Sequence, residues 1–143
     1  MYLNNLKKLR QDSELTQNDI AKAFNINRNT YKNWENGFVM IPLEYADKFS
    51  LYYKVRLSYI LGIDKNFNYN PKIKKMNYDK MIKTLNDLKK SRKVSYDTLS
   101  SNIECAKSSC YSYFKRQTII PIDRLILLAE FFDIDLDKLC GKE

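Results

Sequence analysis

The chain has 143 residues, 44% of them hydrophobic, with 25 Lys and Arg against 17 Asp and Glu for a formal net charge of +8. That length suits one ordinary domain or two small ones, and no apolar run approaches the ~18 residues of a membrane span, so no membrane partner is expected. With no His, three Gly and three Cys that form no Cys-x-x-Cys pair, the sequence offers no metal set, cofactor loop, activated nucleophile or disulfide framework, which argues against an enzyme.

The N-terminus, MYLNNLKKLR, has no apolar stretch after its charges, so it does not read as a secretory signal and a cytoplasmic address is expected. Leu3, Leu6 and Leu9, spaced by three, mark an amphipathic first helix with Lys7, Lys8 and Arg10 on or near its wet side. Thr16 then suits an N-cap. Gln17 and Asp19 sit in the first turn behind it, and Ile20, Ala21 and Phe24 form one apolar face, predicting a helix from about Gln17 to Phe24. Asn25 tolerates a left-handed backbone, Ile26 plugs the turn and Asn27 caps the next helix. That helix places Tyr31 and Trp34 inward and Arg28, Asn29, Lys32 and Asn33 outward, and Asn36-Gly37 stops it. Pro42 suits the first turn of a fourth helix carrying Tyr45, Ala46, Phe49 and Tyr53. Val55, Leu57, Ile60 and Leu61 before Gly62 predict a short fifth. Two short helices joined by a tight turn, the second exposing Arg and Asn, have the layout of a helix-turn-helix.

The stretch TQNDIAKAFNINRNTYKNWENG resembles the DNA-binding domain of the phage repressor and Cro group, the XRE family, in Gln17, in Ile20-Ala21 and in Glu35-Asn36-Gly37. Asn25 stands where that family usually has Gly, and Asn accepts the same backbone conformation at modest cost. The resemblance implies a transcriptional regulator, bacterial or phage and repressor-like, that binds double-stranded DNA as a homodimer and acts by occlusion or recruitment. It also implies a structural ion pair between Arg10 and Glu35. The recognition helix would be Asn27 to Asn36. Arg28 is suited to guanine O6 and N7, Asn29 and Asn33 to adenine N6 and N7, and Lys32 lies on the same face. Thr16, Gln17 and Asn36 are the expected phosphate contacts from the helix ends.

The same plan repeats. A shift of 79 residues without a gap superposes Leu6 on Leu85, Leu9 on Leu88, Pro42 on Pro121, Leu57 on Leu136 and Gly62 on Gly141. The expected fold is therefore all-α, with two tandem five-helix lambda-repressor-like helix-turn-helix domains: residues 1–63, a basic Asn/Lys-rich linker at 64–76, and a degenerate second copy at 77–143. About 12 linker residues reach roughly 40 Å at ~3.3 Å each, enough for successive major grooves ~34 Å apart, so the geometry permits one tandem chain to cover two half-sites; the alternative is that the domains pack together through Phe67, Tyr69 and Ile73. Cys105, Cys110 and Cys140 fall on the positions of Ile26, Tyr31 and Leu61 and are expected to be inert core residues.

The second copy lacks the reading groups. Gln17, Glu35 and Gly37 become Tyr96, Phe114 and Arg116, while Arg28, Asn29 and Asn33 become Lys107, Ser108 and Ser112. Lys and Ser discriminate bases less than bidentate Arg and Asn. Lys107, Ser108, Tyr111, Ser112, Lys115 and Arg116 are accordingly candidates for DNA-backbone contact, dimerisation or a protein partner. The second reading of the whole chain is thus a protein-interaction module, such as an antitoxin or anti-repressor. Charge is uneven as well: residues 72–93 hold nine basic side chains against two acidic ones, or +7, while the last 21 residues hold six acids against three bases. The lysine-rich stretch is either a solvated face or a nonspecific attractor of phosphate.

Overall fold

The computed structural model describes residues 4–143, so Leu3 of the expected first helix lies outside the described residues. Among the described residues the chain is all-helical, with ten helices and no strand. It divides into two compact units, one ending at Ile73 and the other running Lys74–Glu143.

The first unit holds α1 (Leu6–Asp12), α2 (Gln17–Ala23), α3 (Arg28–Asn36), α4 (Leu43–Tyr53) and α5 (Leu57–Ile60). Local chemistry sets these boundaries. Thr16 Oγ1 accepts the Asp19 N–H at 3.0 Å while Asp19 Oδ2 accepts the Thr16 N–H at 2.8 Å, a closed capping box at the start of α2. The Thr16 N–H, with the Thr16 side chain beside it, also holds the exposed Asp19 carboxyl below its ordinary pKa. Asn25 turns the chain at φ 52°, and Asn27 Oδ1 accepts the Asn29 N–H at 2.8 Å to begin α3. Gly37, at φ 76°, ends that helix. Pro42 stands at the N-cap of α4, one residue before the first turn where its fixed φ would also be tolerated. Thr16→Ala is expected to lower the stability of this unit by about 1 kcal/mol. The check is a denaturant titration followed by the fluorescence of Trp34, the only Trp of the chain.

Leu6, Ile20, Tyr31, Phe49, Val55, Leu57 and Ile60 are fully buried and form the core. The Phe49 ring lies 4.4 Å from Phe24 and 5.8 Å from Tyr31, measured between centroids, which ties α4 to the helix-turn-helix. Each such side chain contributes about 1.5–3 kcal/mol by leaving water. Residues 64–73, expected as linker, lie against this unit: Phe67 packs edge-on to Tyr59 at 5.7 Å, and the Asn70 N–H reaches the Lys54 carbonyl at 2.6 Å.

The second unit holds α6 (Tyr78–Ser91), α7 (Tyr96–Asn102), α8 (Lys107–Phe114), α9 (Ile122–Phe131) and α10 (Leu136–Leu139). Helices α7 and α10 begin and end 79 residues after α2 and α5, and α8 and α9 begin 79 after α3 and α4 and stop one residue sooner. Every left-handed residue of the first unit has a partner at the same shift: Glu14 and Lys93, Asn25 and Glu104, Gly37 and Arg116, Lys54 and Asp133, Gly62 and Gly141. Helix α6 departs from this register, starting seven residues before the counterpart of Leu6. Cys110 and Cys140 are buried, and burial pushes the Cys110 thiol up to about 11. Cys105 corrects the expectation of three core cysteines: it is only half-buried, because it sits in the turn between α7 and α8, as Ile26 does between α2 and α3.

Candidate nucleic-acid interface

Helix α3 buries Tyr31, Trp34 and Glu35 and exposes Arg28, Asn29, Thr30, Lys32, Asn33 and Asn36. At ~100° per residue, Asn29, Lys32, Asn33 and Asn36 make the centre of the open stripe, with Arg28 and Thr30 on its flanks. Among the described residues the side chains of Arg28, Asn29, Lys32 and Asn33 have no hydrogen-bond or ionic partner. Two cationic groups and two amides are thus held on a capped helix with their donors unused. Thr30 carries no such signal in the sequence because it is neither charged nor an amide. Its methyl group is of the kind that meets a thymine methyl in a major groove.

Beneath the stripe, Arg10 Nε and Nη2 donate to the two Glu35 oxygens at 2.9 and 2.7 Å, and Arg10 Nη1 donates to the Leu15 carbonyl at 2.9 Å. The side chains are 11% and 1% accessible, so this ion pair is largely shielded from water. Burial alone would push the Glu35 carboxyl up. Hydrogen bonds from Arg10, together with its charge, outweigh it and hold the carboxyl below its ordinary value. The same surroundings, desolvation first and the carboxylate second, drive the Tyr31 phenol far upward, so it stays neutral. Gln17 Nε2 lies 3.4 Å from Glu35 Oε1, linking the start of α2 to the end of α3. The network fixes α3 against α1 and α2; Arg10 and Glu35 do not take part in the open face.

The expected phosphate contacts are less uniform. The Thr16 N–H is already taken by Asp19, and the exposed Thr16 side chain caps α2. Gln17 is half-buried and turned toward Glu35. Asn36 is exposed at the C-terminal end of α3, where the helix dipole does not favour an anion and only its neutral amide offers a donor. Phe38, 67% exposed, and Val39 follow directly.

Most of the corresponding groups of the second unit have partners within that unit. Lys107 pairs with Asp97 at 3.2 Å, Arg116 pairs with Asp79 and lies over the Tyr78 ring, and Lys115 lies 5.7 Å from the Tyr111 ring centroid. Ser112 Oγ donates to Gln117 Oε1 at 3.4 Å, and Ser108 is exposed. At the positions of Arg10, Gln17 and Glu35 stand Lys89, Tyr96 and Phe114. Lys89 Nζ lies 4.1 Å from the Tyr96 ring, whose centroid is 5.9 Å from Phe114 and 5.4 Å from Tyr111. Where the first unit has a polar network, the second has an aromatic one.

Residues 6–60 match the family model described as Helix-turn-helix, and they span α1 to α5. Over 57 residues the chain is 33% identical to YobD of Bacillus subtilis strain 168, an uncharacterized protein named as an HTH-type transcriptional regulator. That match covers 40% of this chain and 51% of the relative, so the chain spans about half the length of the curated relative it matches. No solved structure matches the chain significantly. The first unit therefore carries a helix-turn-helix domain. No helix among the described residues is long and apolar enough to cross a membrane.

Proposed function

We propose that the chain is a sequence-specific regulator of transcription that binds double-stranded DNA through α3. The observation that carries this reading is the open face of α3: Arg28, Asn29, Lys32 and Asn33 are exposed, unpartnered and held on a rigid helix, inside the segment that matches the helix-turn-helix family. In this reading Arg28 takes guanine, the two Asn side chains take adenine, and Thr16, Gln17 and Asn36 supply phosphate contacts. The second unit is a degenerate copy of the first, supported by the recurrence of all five left-handed positions. Regulation follows from occupancy of the site in a repressor-like manner, by a homodimer or by the tandem units of one chain.

The test is selection of bound duplexes from random DNA with the wild type and with Arg28→Ala combined with Asn33→Ala. Wild type is expected to enrich a defined site. The double variant is expected to lose at least about thirtyfold in affinity for it, since each bidentate contact discriminates by about 1–3 kcal/mol. If neither protein enriches a site, the reading fails. The protein-interaction reading then takes its place, with exposed Tyr111 and Ile119 as the surface to probe.

A further inference from the structure

We propose that the second unit meets duplex DNA through the phosphate backbone alone, on the lysine face of α6 and the segment leading into it, and not through α8. This rests on the first unit being a DNA reader. The second unit is electrically lopsided: residues 74–93 carry eight basic and two acidic side chains, or +6, whereas residues 94–143 carry six basic and eight acidic, or −2. The negative excess comes from residues 117–143, three bases against six acids; α8 and its flanks, residues 94–116, hold three bases against two acids, or only +1, with Lys107 and Arg116 held by Asp97 and Asp79. Exposed pairs of this kind are worth only about 0–1 kcal/mol, so they do not by themselves forbid a contact. The net charge decides which side a phosphate approaches.

Helix α6 has the geometry to follow a backbone. Met81, Ile82 and Leu85 face the core, and Lys80, Lys83, Asp87 and Lys90, at i, i+3, i+7 and i+10, occupy the opposite side. Lys83 is neutralised by Asp87 at 3.0 Å. Lys74, Lys75, Lys80, Lys90 and Lys93 are exposed and make no ion pair among the described residues. From Lys80 to Lys90 the helix rises about 15 Å, the axial length of about four phosphates on one strand. These are point charges on flexible stems, suited to phosphate and not to a base edge. The one amide on this stretch of α6, Asn86, is already donating to the Ile82 and Phe114 carbonyls.

The lead-in is fixed before any ligand arrives. The Lys74 N–H donates to the Lys142 carbonyl at 3.2 Å and the Asn77 N–H to the Cys140 carbonyl at 2.8 Å. Lys142 is itself buried, with Nζ donating to the Lys74 carbonyl at 2.9 Å. Gly141, at φ 75°, permits this close approach, since a Cβ there would stand 3.1 Å from Asn77 Cβ. Little backbone entropy is left to lose when the lysines engage.

The test uses the full chain in three variants: Lys75, Lys80, Lys90 and Lys93 all changed to Gln, the same four changed to Arg, and Lys107→Gln with Lys115→Gln. Affinity is measured by fluorescence anisotropy across a salt series, on the selected site with long flanks and on an unrelated duplex. The Gln set is expected to weaken both duplexes by the same factor, tenfold or more, and to reduce the salt slope by about 3.6, or about 0.9 for each of the four phosphates no longer neutralised. The Arg set is expected to keep both, and the α8 variant to change affinity less than twofold. An unchanged slope in the Gln set overturns the proposal, as does a loss confined to the selected site or a loss equally large in the α8 variant. If wild type selects a site while the Gln set leaves the slope intact, this inference alone fails; if wild type binds no duplex, the DNA reading fails with it.

Discussion

Glu35→Gln is expected to destabilise the first unit by about 3 kcal/mol, at the low end of the range for breaking a shielded ion pair from one side. The substitution leaves the Arg10 guanidinium 11% exposed with its two strongest acceptors gone. Gln supplies a single neutral acceptor in their place. For a unit of this size such a loss lowers the thermal midpoint by about 10–20 °C. Trp34 lies on the same helix one residue away, so its fluorescence reports this unit's transition.

Acid provides a second reading of the same pair. The folded-state pKa of Glu35 is depressed below its ordinary value of 4.5, so the pair stabilises the unit fully above that value. The contribution is lost as pH falls through the depressed pKa. Wild type should therefore lose stability faster than the Gln variant below pH 4.5, and the two midpoint curves should converge in acid. A constant gap between them down to low pH would mean that the carboxylate charge is not what holds α1 to α3. The second half of the expectation concerns DNA: with the helix loosened, site affinity should fall although no reading residue has been touched.

Much of the helical layout is written locally in the sequence. The capping pattern at Thr16 and Asp19, the Asn25 turn and Gly37 as a helix stop are all short-range chemistry, and each fixes a boundary within one or two residues. The inward placing of Tyr31 and Trp34 on α3 follows from their spacing, whereas the buried Glu35 beside them is implied only by the family resemblance. Other features depend on neighbours distant in sequence and have no local signature. The extra turns of α6 arise where Asn77 caps against Lys80 and its N–H reaches Cys140, 63 residues on. Cys105 matches a hydrophobic position by alignment, yet a turn residue is only half covered by its unit. The neutralisation of Lys107 by Asp97 brings α7 and α8 side chains together across a bend, which spacing along either helix does not reveal. Composition alone places cationic groups; only their partners say which of them remain available.

Phe114→Glu is expected to unfold the second unit at neutral pH, a loss of more than about 4 kcal/mol from removing a buried aromatic and enclosing a carboxylate with no guanidinium beside it. Phe114 is 2% exposed and packs on Tyr96, and the cation at the Arg10 position is Lys89, which is committed to the Tyr96 ring at 4.1 Å. Far-UV circular dichroism should lose roughly half its helical signal, in proportion to one of two five-helix units. The Trp34 transition should keep its midpoint, because that residue belongs to the other unit. A buried, unpaired carboxyl has a raised pKa, so the variant should regain helix as pH falls, opposite in sign to wild-type Glu35. Adding Lys89→Arg and Tyr96→Gln rebuilds the first unit's set of Arg, Gln and Glu in the second. This triple variant is expected to recover at least ~2 kcal/mol over Phe114→Glu at neutral pH, as a restored hydrogen-bonded ion pair should. Recovery would mean that the polar and aromatic networks are alternative solutions to one packing problem. A triple variant no more stable than the single one would mean instead that the backbone around Phe114 cannot house the polar set.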